Sequence, residues 1–157
     1  MKVLLLWVGK TDFNFVDEGI KTYAERIKRY VPFEIQEIRD LKNKKVLETA
    51  QIKKLEGEEI LSRLSPGDYV VLLDEKGKEF TSLQFSTYMT QVFNQGIKRM
   101  VFVIGGAYGF SDEVYARARD KVSLSKMTYS HQLIRVVFLE QLYRSQTIIK
   151  GEPYHHE

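Results

Sequence analysis

Three stretches of this chain are apolar without interruption: residues 3–8, 69–73 and 100–104. A strand with one wet face alternates apolar and polar side chains. A strand with no polar positions must be covered on both sides, as in a parallel sheet whose crossover helices lie on its two faces. The segments between these runs supply such helices. Phe13, Val16, Ile20, Tyr23, Ala24, Ile27 and Tyr30 recur at three- and four-residue steps, and Pro32 stops the pattern because proline disfavours helical backbone in the residue before it. Phe33 to Ile38 alternates, which predicts a half-buried strand. The turn at Lys42, Lys44 and Lys45 leads into a charged helix over 45–64, closed by Ser65-Pro66-Gly67-Asp68. Asp74 to Gly77 is expected to close the strand at 69–73. Ser82 is expected to cap a helix over 83–95, with Gly96 at its C-terminal end. A short helix starts at Ser111, a polar connection spans 123–130, and a final helix covers 131–150. Strands alternating with helices in this way predict a single domain over 1–157, of the α/β class, with a mostly parallel sheet and helices on both faces.

Composition narrows the chemistry. The chain has no cysteine, which excludes disulfides, thiolate metal sites and a thiol nucleophile. No His/Asp/Glu cluster has metal-ligand spacing, so no metal is expected. The apolar run at the N-terminus is too short for a signal peptide and lacks a cleavage site. No stretch approaches the roughly 20 apolar residues of a membrane span. A cytoplasmic protein is expected. Net charge is +3, and residues 117–157 carry seven Lys/Arg against four Asp/Glu together with all three histidines. A basic C-terminal quarter favours polyanions such as RNA, though weakly by itself.

The strongest local signal is the strand at 100–104 running into Gly105-Gly106-Ala107-Tyr108-Gly109. Glycines at the carboxyl end of a parallel strand let backbone approach a ligand, and they equally serve a tight strand–helix turn. The loop has neither the spacing of a dinucleotide fingerprint nor the lysine of an NTPase phosphate loop. Only about fifty residues follow it, so a ligand site there must be built from the C-terminal third. Two other segments accompany it: Asp74, as a turn acid or a ligand group, and the polar run Leu124 to His131. In the final helix, Leu133, Ile134, Val136 to Leu139, Leu142 and Tyr143 leave almost no polar face. A helix apolar nearly all round is buried on more than one side, and one side is expected to meet another subunit. Its charges, Arg135, Glu140 and Arg144, are expected to face a partner, a ligand or water, with Glu140 and Arg144 at ion-pair spacing.

Taken together, Val101 to Gly109, Leu124 to Thr128, His131 to Arg144 and Pro153-Tyr154-His155 resemble, in order and spacing, the ribosomal RNA large subunit methyltransferase H (RlmH) family. Val8-Gly9-Lys10, Tyr23 to Arg26 and Glu56-Gly57-Glu58 extend the resemblance over the whole chain. The departures are Ser130 where the family has proline, Phe110 where leucine is common, and Ser145 in place of alanine. The resemblance implies a SPOUT fold with a C-terminal trefoil knot, a homodimer, S-adenosylmethionine as cofactor, and methylation of N3 of a pseudouridine in 23S rRNA on the assembled ribosome. It places the cofactor at Leu73, Gly105, Leu124, Ser125, Lys126, Met127, Thr128 and Tyr129.

Transfer to a ring nitrogen needs alignment and removal of a weakly acidic proton. His131, Arg135, Tyr154 and His155 are the expected catalytic residues, with the base unassigned between the two imidazoles. Gly151 and Pro153 break the last helix, so Tyr154 and His155 are expected to turn away from it toward a site. The rival expectation is a non-catalytic RNA- or nucleotide-binding module associated with the ribosome.

Overall fold

In the computed structural model, which describes residues Met1–Glu157, five strands form one parallel sheet. They are β1 (Lys2–Val8), β2 (Phe33–Ile38), β3 (Tyr69–Glu79), β4 (Arg99–Ile104) and β5 (Asp120–Ser123). Their spatial order is β2-β1-β4-β3-β5. The helices are α1 (Asn14–Lys28), α2 (Thr49–Ser62), α3 (Ser82–Phe93), α4 (Asp112–Arg117) and α5 (Leu133–Ile149).

Crossovers between parallel strands are right-handed, and that rule sorts the helices. The steps β1→β2 and β3→β4 run one way across the sheet, so α1 and α3 lie on one face. The steps β2→β3 and β4→β5 run the other way, so α2 and α4 lie opposite. The two cores follow. Val3, Leu5, Val71 and Phe102 face α1, α3 and α5, whereas Leu4, Leu6, Leu72 and Val103 face α2 and α4. The uninterrupted apolar runs are β1, β3 and β4, and every residue from Val3 to Leu6 is fully buried.

Three elements differ from the sequence expectation. Strand β3 does not stop at Leu73. After a register shift between Leu73 and Lys78 it resumes pairing with β5, Lys78 opposite Val122 and Glu79 opposite Ser123. Asp74 to Gly77 is therefore an irregularity inside a strand. Gly77 is required there, because a Cβ would lie 2.6 Å from backbone atoms of Lys121 and Val122. Strand β5 is not among the expected elements, which place only a polar connection at 123–130, and at four residues it shows no readable alternation. Helix α3 is capped one residue early: Thr81 Oγ1 accepts from the Gln84 N–H at 3.1 Å, and Gln84 Oε1 accepts from the Thr81 N–H at 2.9 Å. A reciprocal box needs Glu or Gln three residues after the cap. Thr81 has one, while Ser82 would find Phe85, a core residue.

Helix α5 is flanked by α1 and α3 and lies over the sheet, which accounts for much of its apolar surface within one subunit. The Phe138 ring packs at a tilt of 50° against Phe102 of β4, with centroids 4.7 Å apart. A Cβ on Gly19 of α1 would sit 3.1 Å from Val136. The expectation that Arg135 faces a partner, ligand or water is corrected: it has no exposed surface. Its guanidinium lies 4.6 Å from the centroid of the Trp7 ring and donates to Val8 O (3.1 Å), Gly9 O (3.0 Å) and Thr11 Oγ1 (2.8 Å). Two of these acceptors are carbonyls at the end of β1 and the third is a hydroxyl, so the buried charge is held by hydrogen bonds that only a forked cation can make together, although its Nε has no partner. Burial lowers its pKa, and Glu37, Asp12 and Asp40 act against that shift.

Replacing Arg135 with Ala is expected to cost roughly 3 kcal/mol, since hydrogen bonds to charged groups contribute about 1.5–3 kcal/mol each. Replacement with Lys should recover little. Urea unfolding followed by circular dichroism measures both.

Candidate active site

At the carboxyl edge of the sheet, β4 sends its chain to the α2/α4 face while β3 sends its chain to the α1/α3 face. Neighbouring strands whose connections part in this way leave a crevice between them, the usual ligand position in open α/β sheets. A cavity of about 720 Å³ lies there, within the range of small-molecule and cofactor sites. Leu73 from β3, just before its irregularity, Gly105 to Phe110 after β4, and Val122 to Ser125 at the end of β5 line it, and Met127 to His131 with Ile134 close it.

The glycine loop is shaped from beneath. A Cβ on Gly105 would stand 3.0–3.3 Å from the Phe110 ring, so the ring and the loop pack only because that side chain is absent. Gly109 adopts φ +83° and its N–H donates to Gly106 O at 3.2 Å, closing the turn. Ser111 then caps α4 by accepting from the Val114 N–H. Under Gly106 lies Glu56 of α2, whose carboxylate is buried without a hydrogen-bond partner, with Lys44 Nζ 3.9 Å away. Burial pushes this carboxyl above its usual range; Lys44 opposes the shift and Asp40 adds to it.

The far wall is a loop ordered by its own hydroxyls. Ser123 donates to Ser125 O (2.9 Å), and Ser125 Oγ accepts from the Met127 N–H (2.9 Å). Ser130 accepts from the Leu133 N–H at 3.1 Å and so caps the start of α5. That capping is possible because serine stands there in place of proline. Opposite, Asp74 accepts a hydrogen bond from the Tyr115 hydroxyl. Burial, and then Asp74, push the Tyr115 phenol up to about 12. Met127 and Tyr108 present large exposed surfaces at the rim.

Of the residues expected to hold a cofactor, Leu73, Gly105, Leu124, Ser125, Met127, Thr128 and Tyr129 line this one cavity, and Lys126 lies outside its lining. Of the expected catalytic residues only His131 lines it. Arg135 is buried below, at the end of β1. Tyr154 and His155 do not turn away from α5, as was expected, but fold back on it. The Tyr154 hydroxyl donates to Glu140 Oε1 (3.1 Å), and its ring stands 4.7 Å from that of Tyr143. The Arg144 guanidinium lies 4.8 Å from the Tyr154 ring centroid, with an Arg144 nitrogen 3.1 Å from His155 Nδ1. Glu140 and Arg144 form the ion pair that their spacing implied, at 2.5 Å. Burial, and then Glu140, raise the Tyr154 phenol to about 12, so at neutral pH it is a hydrogen-bond donor. Lys53, Asp74, Glu75, Lys76 and Tyr115 also line the cavity. Nothing in the sequence pattern joins Tyr115 to Asp74, 41 residues apart. No group of three His, Asp or Glu residues is placed to hold a metal ion.

Residues 1–155 match the family described as "Predicted SPOUT methyltransferase". The chain belongs to the SPOUT methyltransferase family. It is 57% identical over 157 residues to ribosomal RNA large subunit methyltransferase H of Parabacteroides distasonis, covering 100% of both chains. Its identity to the protein of the same name from Christiangramia forsetii is 54%, with 99% of each chain covered. For the one from Bacteroides thetaiotaomicron it is 53%, with full coverage. At such identities over full length, this SPOUT methyltransferase falls within the ribosomal RNA large subunit methyltransferase H family.

Between β5 and α5 the chain passes from the sheet to the α1/α3 face along the carboxyl edge. That path is consistent with the C-terminal knot the family resemblance implies. No helix is long and apolar enough to cross a membrane.

The buried Glu56 gives a pH test. Its folded-state pKa is raised, so its contribution is full below the ordinary glutamate range and is lost as pH rises through the raised value. Glu56→Gln should therefore melt higher than the parent at pH 8, with the gap closing toward pH 4. Each kcal/mol regained is worth about 2–4 °C, and calorimetry across that pH range measures it.

Proposed function

We propose that this protein transfers the methyl group of S-adenosylmethionine to N3 of a pseudouridine in 23S rRNA, on the assembled ribosome and in the cytoplasm, as a homodimer. The observation that supports this reading most is the convergence of Leu73, the Gly105 loop and the 124–129 loop on one cavity at the strand switch point. Full-length similarity to ribosomal RNA large subunit methyltransferases points to the substrate class.

The cavity fits the cofactor. Its volume suffices, its lining mixes apolar side chains with backbone-rich loops, and Leu73, Gly105, Leu124, Ser125 and Met127 to Tyr129 would hold the adenosine and amino-acid portions. Lys126 would act from the rim. When bound, the cofactor supplies an electrophilic methyl on a sulfonium. The protein's part is to align the acceptor nitrogen with it and to exclude water. His131 is the imidazole at the cavity, and in this reading it or His155 accepts the N3 proton. The protonated Tyr154 phenol offers a donor and a stacking face. Arg135 contributes indirectly, by tying the start of α5 to β1 and so fixing where His131 stands.

Because Tyr154 and His155 lie outside their own subunit's cavity, the reading has them serve the cavity of a second subunit. An apolar surface suited to that pairing lies at the adjoining ends of α1 and α5. Phe13 is 52% exposed, Phe15 65% and Leu133 40%. The Asp12 N–H donates to the Gln132 side chain, which ties the two ends together.

Deletion of the gene should remove N3-methylated pseudouridine from 23S rRNA, and nucleoside mass analysis reads it. The intact gene should restore the mark, and a Thr128→Trp copy, which fills the cavity at an exposed position, should not. An unchanged nucleoside profile in the deletion strain ends the reading.

Mixing tests the shared site. His155→Ala and Thr128→Trp proteins, each at least a hundredfold impaired (about 2.7 kcal/mol in barrier), should regain up to a quarter of parent activity on ribosomes when subunits are exchanged. Absence of recovery in a mixture shown by mass to contain heterodimer would return His155 to its own subunit.

A further inference from the structure

Beside the cavity, on the outer side of β3 and β5, runs a second groove of about 540 Å³ that the proposed methyl transfer does not use. The two are continuous, since Asp74, Lys76 and Tyr115 line both. Four cations line the groove: Lys76, Lys78, Arg119 and Lys121. All four are exposed and none forms an ion pair.

The two acids in the groove are engaged elsewhere. Asp74 accepts from the Tyr115 hydroxyl and from the Lys76 N–H. Asp120 accepts from the hydroxyls of Tyr69 and Tyr88. Three of the cations lie instead over aromatic rings: Lys78 5.1 Å from the Phe80 centroid, Arg119 5.0 Å from Tyr69 and Lys121 5.6 Å from Tyr115. A cation over a ring face is held in place while its charge stays available to a ligand. Acids turned to phenols and cations left free make the groove a preference for anions, with four positive charges against two occupied carboxylates.

We infer that this groove is a track for the sugar–phosphate backbone of RNA, leading the substrate strand to the cavity mouth. The inference rests on the proposed action on rRNA. An extended backbone fits an open groove lined by separated single charges, since phosphate contacts position a nucleic acid without reading its sequence. The competing account is that β5 is an edge strand whose Lys121, with Arg119 just before it, merely discourages pairing with another sheet.

The test replaces Lys78, Arg119 and Lys121 with Gln together, sparing Lys76 and Tyr115, which border the cavity. Filter retention of 50S subunits and 70S ribosomes is measured between 50 and 200 mM KCl, and methyl transfer is measured in parallel. Each lost phosphate contact flattens the salt dependence of log K by about 0.7–0.9, so the slope should fall by about 2–3. KM for ribosomes should rise at least tenfold, with kcat at saturation, S-adenosylmethionine affinity and melting temperature unchanged. A control removing three exposed cations elsewhere, Lys28, Arg29 and Lys54, should leave slope and KM as in the parent. A folded triple variant with unaltered slope and KM, or a control that loses as much, overturns the track. A parent protein that binds ribosomes but transfers no methyl would refute the proposed function instead, and the slope alone would then decide the groove.

Discussion

The handedness of the crossovers governs the molecule. Right-handed connections, applied to the order β2-β1-β4-β3-β5, compel β3 and β4 to send their chains to opposite faces. The crevice this opens is where the cavity lies. The same rule puts α1 and α3 on one side with a gap between them, and α5 fills that gap. The final helix therefore completes one core layer while its leading loop walls the cavity. The C-terminal segment thus serves the core and the cavity at once.

Close backbone approaches keep that arrangement tight. Gly77 lets β3 pass against β5 beyond the irregularity, and this sets β5 in register to deliver Ser123 and Leu124 to the cavity. Gly105 lets the Phe110 ring lie under the loop. Arg135 joins α5 to the last carbonyls of β1. The first and last of these contacts link segments remote in the chain, and each of the three would be lost with one added or removed side-chain group. The unpartnered carboxylate of Glu56 is the exception, a buried acid retained against the glycine loop at a cost in stability near neutral pH.

In the proposed reading the site divides into a preformed half and an incomplete half. The cofactor side would be built from backbone-rich loops of one subunit. On the acceptor side that subunit contributes His131 at the cavity, while its tail packs on its own α5 through Glu140 and Arg144. A site split in this way suits a reaction whose protein contribution is mainly alignment, because a second surface can close over the acceptor once it is seated. The continuous basic groove would extend that seating outward from the cavity.

Much of the fold was legible in the residues. The uninterrupted runs at 3–8, 69–73 and 100–104 determined the parallel, doubly covered sheet, because a strand without a polar face has no other stable place. The motif combination determined the family and pointed to most of the residues that line the cavity. Strand β5 was illegible, since four residues with two charges carry no periodicity of their own and pair only because β3 lies alongside. The cap at Thr81 was readable, as Gln84 shows, while Phe85 is drawn into the core. What only the tertiary structure decided is where the charges go. Arg135 and Tyr154 both belong to a helix or its tail with apolar neighbours, and no spacing tells which is buried. Arg135 goes inside because β1 ends in carbonyls needing a donor, and Tyr154 folds back because Glu140 and Arg144 receive it. Local sequence determines the period of a segment, but the partner that satisfies a polar group comes from elsewhere in the chain and exists only once the fold has formed.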